Sequence, residues 1–132
     1  MGLCYMNPLT LEWVQKAEGD FAAAECLAKS AANLHDAICF HAQQCIEKYL
    51  KAWLQEAGIR FPRSHDLEEL LDLIAPSMPA WDIWRSDFQI IETHAVELRY
   101  PGRLAMAADA QNATQVCGIV RLAVRTVLGL TS

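Results

Sequence analysis

Apolar residues along this chain recur at intervals of three and four and nowhere alternate over a strand-length run, so the pattern predicts helices throughout. The strongest pattern lies in Asp36–Gly58, about six turns long. On a helical projection Ile38, Ala42, Cys45, Ile46, Tyr49, Leu50, Trp53, Leu54 and Ala57 share an arc of roughly 200°, wider than the ~100° stripe of a surface helix. A helix apolar over so much of its girth must be covered by several neighbours. Asp36 is the expected cap, and Gly58 the expected terminator. The remaining arc carries His41, Gln44, Glu47, Lys48, Lys51 and Gln55, with Phe40 among them. Glu47 and Lys51 have the spacing of an i,i+4 ion pair. Gln43 falls inside the apolar arc, where an amide must find hydrogen-bond partners and would fix helix register.

Four further helices are predicted. Thr10 can cap the first, from Leu11 to about Ala31, with Trp13, Val14, Ala17, Phe21, Ala24, Leu27, Ala28 and Ala31 inward; Glu12, Lys16, Asp20 and Lys29 face solvent. Residues 1–9 read as a loose arm. The short link Asn33–His35 makes the first two helices antiparallel neighbours. Ser64 can cap a short helix from His65 to Ile74, whose first turns carry Asp66, Glu68 and Glu69 where the helix dipole favours acids. A helix from about Ala80 to Leu98 turns Ile83 (or Trp84), Phe88, Ile91, Ala95 and Leu98 inward, and Pro101-Gly102 stops it. The last runs from about Met106 to Leu128, with Ala113, Val116, Cys117, Val120, Ala123, Val124, Val127 and Leu128 on one face. Ile119, Leu122 and exposed tryptophans are left as candidates for a subunit contact, or as scattered surface apolars. The expected fold is all-α: an antiparallel up-and-down bundle of four long helices and one short one, in a single domain spanning 1–132.

Composition narrows the function. The 132 residues are 53 % hydrophobic and 20 % charged, which argues against disorder. No apolar run reaches the ~18 residues of a membrane span, and no secretory leader is evident, so a cytoplasmic protein is expected. Five cysteines without metal-ligand spacing read as reduced thiols. The net charge of −5 opposes a broad grip on nucleic acid but not a small basic pocket.

FHAQQCIEKYLKAWLQEAGIRFPRSHDLEELL, followed some thirty residues later by LRYPG, resembles the prokaryotic HEPN family. LEWVQKAEGDFAAAECL also looks like the first HEPN helix. The resemblance runs from Leu11 to Gly102. It implies a homodimeric helical bundle, often partnered by a minimal nucleotidyltransferase in a toxin–antitoxin-type system, with some members binding nucleotides. It also implies that many relatives are metal-independent ribonucleases using an Arg-x4-6-His motif. Here Arg99 can stand for the arginine, but Leu104, Ala105 and Met106 occupy the positions of the histidine. A second Arg-x4-His match, Arg60 to His65, falls in the wrong connector.

The candidate catalytic residues are accordingly Arg99 and His65, with His41 or His94 as other sources of a histidine. The candidates for ligand or partner contact are His41, Gln44, Lys48, Lys51, Arg60, Arg63, His65, Arg99 and Tyr100. Each has a plainer reading. His65 can simply order a turn, Arg99 can satisfy helix-end carbonyls, and the stripe of His41, Gln44, Lys48 and Lys51 can be a solvated face. No metal site or cofactor is indicated. The leading expectation is a HEPN-like interaction module paired with a nucleotidyltransferase, able to bind a nucleotide. A ribonuclease toxin and a ligand-free scaffold are the alternatives. The surplus apolar positions and the resemblance together predict a dimer; light scattering at micromolar concentration should give twice the chain mass, and a monomeric mass would overturn this.

Overall fold

The computed structural model describes residues 6–131, which form five α-helices, one 3-10 helix and no strand. They are α1 (Pro8–Ala28), α2 (His35–Ala57), α3 (Leu67–Ile74), α4 (Arg85–Glu97) and α5 (Ala107–Val127), with the 3-10 helix Pro79–Trp84 leading into α4. The all-α expectation holds. Cys4 and most of the expected N-terminal arm lie outside the described residues. Among the described residues the other four cysteines are free thiols, and no helix is long and apolar enough to cross a membrane.

Helix α2 is the axis. It packs against α1 and α5, and more lightly against α3 and α4. Ile38, Ala42, Cys45, Ile46, Tyr49, Leu50, Trp53 and Leu54 are buried as the pattern predicts, whereas Ala57 at its last turn is exposed. Gly58 ends it at φ 71°, a left-handed conformation that glycine adopts without strain. Polar pairs fix the order of the helices. Thr10 faces Glu56 and Glu18 faces Tyr49, so α1 runs antiparallel to α2. Asp36 faces Ala105 and Tyr49 faces Arg125, so α5 runs parallel to it.

Several boundaries move for local reasons. Asn7, not Thr10, caps α1: its Oδ1 accepts the Leu9 N–H at 2.8 Å, and Pro8 fills the first helical position. The helix therefore includes Pro8 and Leu9, which the sequence placed in the arm, and it ends at Ala28 rather than Ala31. Thr10 is drawn inside, where its hydroxyl donates to Glu56 at 3.0 Å. Asp36 does not cap α2, whose cap is Leu34; it lies in the first turn and accepts the Ala105 N–H at 2.6 Å. Asp66 rather than Ser64 caps α3, accepting from Glu68 and Glu69, which leaves His65 outside the helix.

The helix expected from Ala80 to Leu98 divides. Trp81 and Trp84 recur at three, the period of a 3-10 turn, and both are buried; Ile83, the other candidate for the inward position, is 77 % exposed. The tryptophans proposed for a subunit contact are therefore largely core. Trp81 stacks on Trp84 at 5.0 Å and meets Trp53 edge-on at 6.0 Å. Ile119 and Leu122 do remain exposed on α5.

A polar belt ties α1, α2 and α5 together. Glu18 accepts the Tyr49 hydroxyl at 2.5 Å and takes both Arg121 donors at 2.7 Å, while Arg125 donates to the Tyr49 oxygen at 3.1 Å. The Arg121 hydrogen bond is the main reason the Glu18 carboxyl is held below its ordinary range, against the opposing effect of burial. Burial, with Glu18 beside it, pushes the Tyr49 phenol up. A depressed carboxylate contributes stability that is present above its unfolded pKa and lost as pH falls through the folded one. Glu18→Gln should therefore cost about 1–3 kcal/mol at neutral pH. It should also flatten the loss of melting temperature between roughly pH 5 and 3; an acid limb as steep as that of the unsubstituted protein would contradict this role.

Candidate functional site

A cavity of about 500 Å³ opens among α2, α4, α5 and the connector before α3. Asp36, Cys39, Phe40, Gln43 and Gln44 line it from α2. Ile90, Ile91, His94 and Ala95 come from α4, with Leu98 and Arg99 just beyond, and Asp109, Asn112 and Ala113 from α5; His65 closes it from the connector. Of the residues named from sequence, the fold brings Gln44, His65, His94 and Arg99 together here. Phe40 and Ile90 stand exposed on its walls.

The other candidates go elsewhere. His41 and Lys48 both reach Asp20 on α1, at 2.8 and 2.5 Å, so this part of the expected stripe is a half-buried clamp between helices. Lys51 is 5 % exposed and bonds Glu47, itself 2 % exposed, at 3.0 Å. The idea that Lys51 lies on a solvated or ligand-facing stripe therefore fails: the Trp13 ring lies 5.3 Å from its ammonium and shields it. Arg60, Arg63 and Tyr100 are exposed and do not line the cavity. Gln43, expected as a buried register-setting amide, is half-buried, because the cavity between α2, α4 and α5 opens beside it.

The two cavity histidines are held differently. His65 Nδ1 lies 3.0 and 3.2 Å from the two Glu47 oxygens, leaving the side chain 78 % exposed. His94, in the last turn of α4, places Nε2 at 3.6 Å from Asp109 Oδ1. Asp109 also accepts the Met106 N–H at 2.8 Å, so it fixes the start of α5 as well. Arg99 follows α4 in a turn completed by Gly102 at φ 85°. Arg85, Arg121 and Arg125 are ion-paired, but among the described residues Arg60, Arg63, Arg99 and Arg103 form no ion pair. The unpaired arginines thus cluster at the two turns flanking the cavity.

This arrangement can hold an anion and place neutral amides and apolar surface beside it. It does not supply a thiolate: burial, followed by the negative charges of Asp109 and Asp36, pushes the Cys39 thiol up to about 11. Among the described residues no group of three or more His, Cys, Asp or Glu is placed to hold a metal ion. Asp109 and Asn112, which join the sequence-named His94 on this wall, became visible only through the fold, since α4 and α5 are joined by a turn whose course the spacing does not encode.

The fold and the cleft define an all-helical protein whose main cavity lies between helices rather than within a loop. Comparison gives the family. The HEPN domain family model matches residues 10–127, and the chain belongs to this family. It is 31 % identical over 96 residues to a Methanocaldococcus jannaschii protein named "Putative toxin MJ1304", covering 67 % of this chain and 61 % of that protein. The chain thus aligns with about three-fifths of that relative's length. No solved structure matches it.

Beside the cleft, Glu92 on α4 accepts the Glu68 N–H at 3.2 Å. Burial first, then the negative charge of Asp66, pushes its carboxyl up to about 7 from an ordinary 4.5. The folded protein therefore keeps a proton that the unfolded chain releases. Stability from this group is complete below the ordinary value and fades as pH rises through about 7. Glu92→Gln should raise the melting temperature more near pH 8 than near pH 5; an equal shift at both would show that Glu92 is not protonated in the fold.

Proposed function

We propose that this HEPN protein is a toxin-like module that receives a phosphate-bearing ligand, a nucleotide or an RNA strand, in the cleft among α2, α4 and α5. The observation that carries the reading is the setting of Arg99. It enters the cavity without an acidic partner among the described residues, together with His65 and His94 from two other segments. An unpaired guanidinium suits a phosphate through charge-assisted, bidentate bonds. Phe40 and Ile90 offer apolar surface to a base, and Gln43, Gln44 and Asn112 offer donors and acceptors to its edge. The name of the relative supports a toxin-like role. Family membership supports a homodimer and a partner of the minimal nucleotidyltransferase kind, encoded nearby, that restrains it.

A second reading, a metal-independent ribonuclease, is favoured by one observation. Both cavity histidines line the cleft with Arg99, which offers a source of proton transfer outside positions 104–106. A fluorescein-labelled hexauridylate distinguishes the two. Binding should weaken about tenfold or more in Arg99→Ala, the value of a charge-assisted hydrogen bond, while the RNA stays intact in the presence of chelator. Unchanged binding would overturn the cleft reading. Cleavage lost in both Arg99→Ala and His65→Asn or His94→Asn would establish the enzyme instead.

A further inference from the structure

We propose that Glu47 is the positioning residue of the cleft: it holds His65 by Nδ1 and so sets Nε2 as the ring nitrogen that a ligand meets. The proposal rests on the reading of the cleft as a phosphate site and adds how that site is held in shape.

Glu47 lies in the middle of α2, 2 % exposed, where a carboxylate has no water to bond. Its Oε2 accepts from Lys51 at 3.0 Å. Its two oxygens face His65 Nδ1 at 3.0 and 3.2 Å, across 18 residues of chain. An ionised carboxylate only accepts, so Nδ1 carries the proton; in the neutral ring Nε2 then keeps the lone pair. Nothing else among the described residues bonds the His65 ring, so its orientation comes from Glu47. The connector is anchored on the same structure. Phe61 meets Trp13 edge-on at 6.0 Å, and Trp13 lies 5.3 Å over the Lys51 ammonium. One aromatic thus covers the buried charge pair and seats the segment that delivers His65.

Stability does not explain such a pair, since two buried charges in good geometry are often no better than apolar residues of the same volume. Orientation does. A ring with Nδ1 engaged accepts a ligand hydroxyl at Nε2 when neutral and donates to a phosphate oxygen there when protonated. An unheld ring, 78 % exposed, would present either nitrogen.

Long-range proton–nitrogen NMR of the full chain reads the tautomer directly. His65 in the unsubstituted protein should carry its proton on Nδ1 near pH 8, whereas an unconstrained histidine favours Nε2. Glu47→Leu combined with Lys51→Met removes both charges and the acceptor of the His65 Nδ1 proton together. It should keep the fold, return His65 toward the Nε2–H form and weaken hexauridylate binding by at least about fivefold. His65→Ala in that background should add no further loss. An Nε2–H ring in the unsubstituted protein with RNA binding intact overturns the role of Glu47 alone. An Nδ1–H ring with no RNA binding overturns the cleft reading and the ligand half of the proposal. If the double variant does not fold, RNA added to the unsubstituted protein decides. A shifted Nε2 signal with Nδ1 still protonated supports the proposal, and an unmoved Nε2 overturns it.

Discussion

A carboxylate and an ammonium enclosed in the middle of α2 constrain what packs around them. Leaving one of two buried charges without the other costs about 3–5 kcal/mol, a large share of the stability of a small domain. Glu47 and Lys51 therefore constrain everything that shields or completes them. Trp13 must sit over the ammonium, which fixes how α1 approaches α2. His65 must complete the carboxylate, which fixes the connector into α3. The hydrophobic surroundings supply most of the driving force, at about 1.5–3 kcal/mol for each large side chain fully removed from water. They do not choose among the ways two apolar helices could slide, because such contacts are non-directional. The polar pairs choose.

The same logic operates one layer out. Glu18, Tyr49, Arg121 and Arg125 form a belt across three helices, and Asp20 receives both His41 and Lys48. Each pair lies at a different height along α1 and α2, from Thr10–Glu56 at one end to Asp20–His41 toward the other. A slip of one turn would break them all together. That rigidity on the α1 and α5 sides contrasts with the α4 side, which packs on α2 more lightly and leaves the cleft between them.

The fold was largely legible because its period is long and unbroken: α2 and α5 announce themselves through Ile38 to Leu54 and Ala113 to Val124. Boundaries were less so where two capping residues compete. Asn7 and Thr10 both belong to the residue types that cap helices, and Glu56, far along the chain, draws Thr10 inward. Ser64 and Asp66 compete in the same way. The spacing of Glu47 and Lys51 was readable as an ion pair, but its burial was not, since that is a property of Trp13 and the connector. The site was legible in part. Gln44, His65, His94 and Arg99 were named from sequence and meet at one cavity, while His41, Lys48 and Lys51 share a helical stripe in sequence but serve contacts with α1 or the interior. A helical projection shows which residues share a face of one helix; it cannot show which neighbour takes that face.

The three indoles at the root of α4 have an optical consequence. Trp81 lies 6.0 Å from Trp53 and 5.0 Å from Trp84, and these are three of the four tryptophans in the chain. Indoles this close exchange excitation energy, so much of the protein's ultraviolet emission originates from a single point beneath the helix that forms one wall of the cleft. The chain thus carries its own label: a displacement of α4 relative to α2 would change the colour and intensity of that emission without any dye attached.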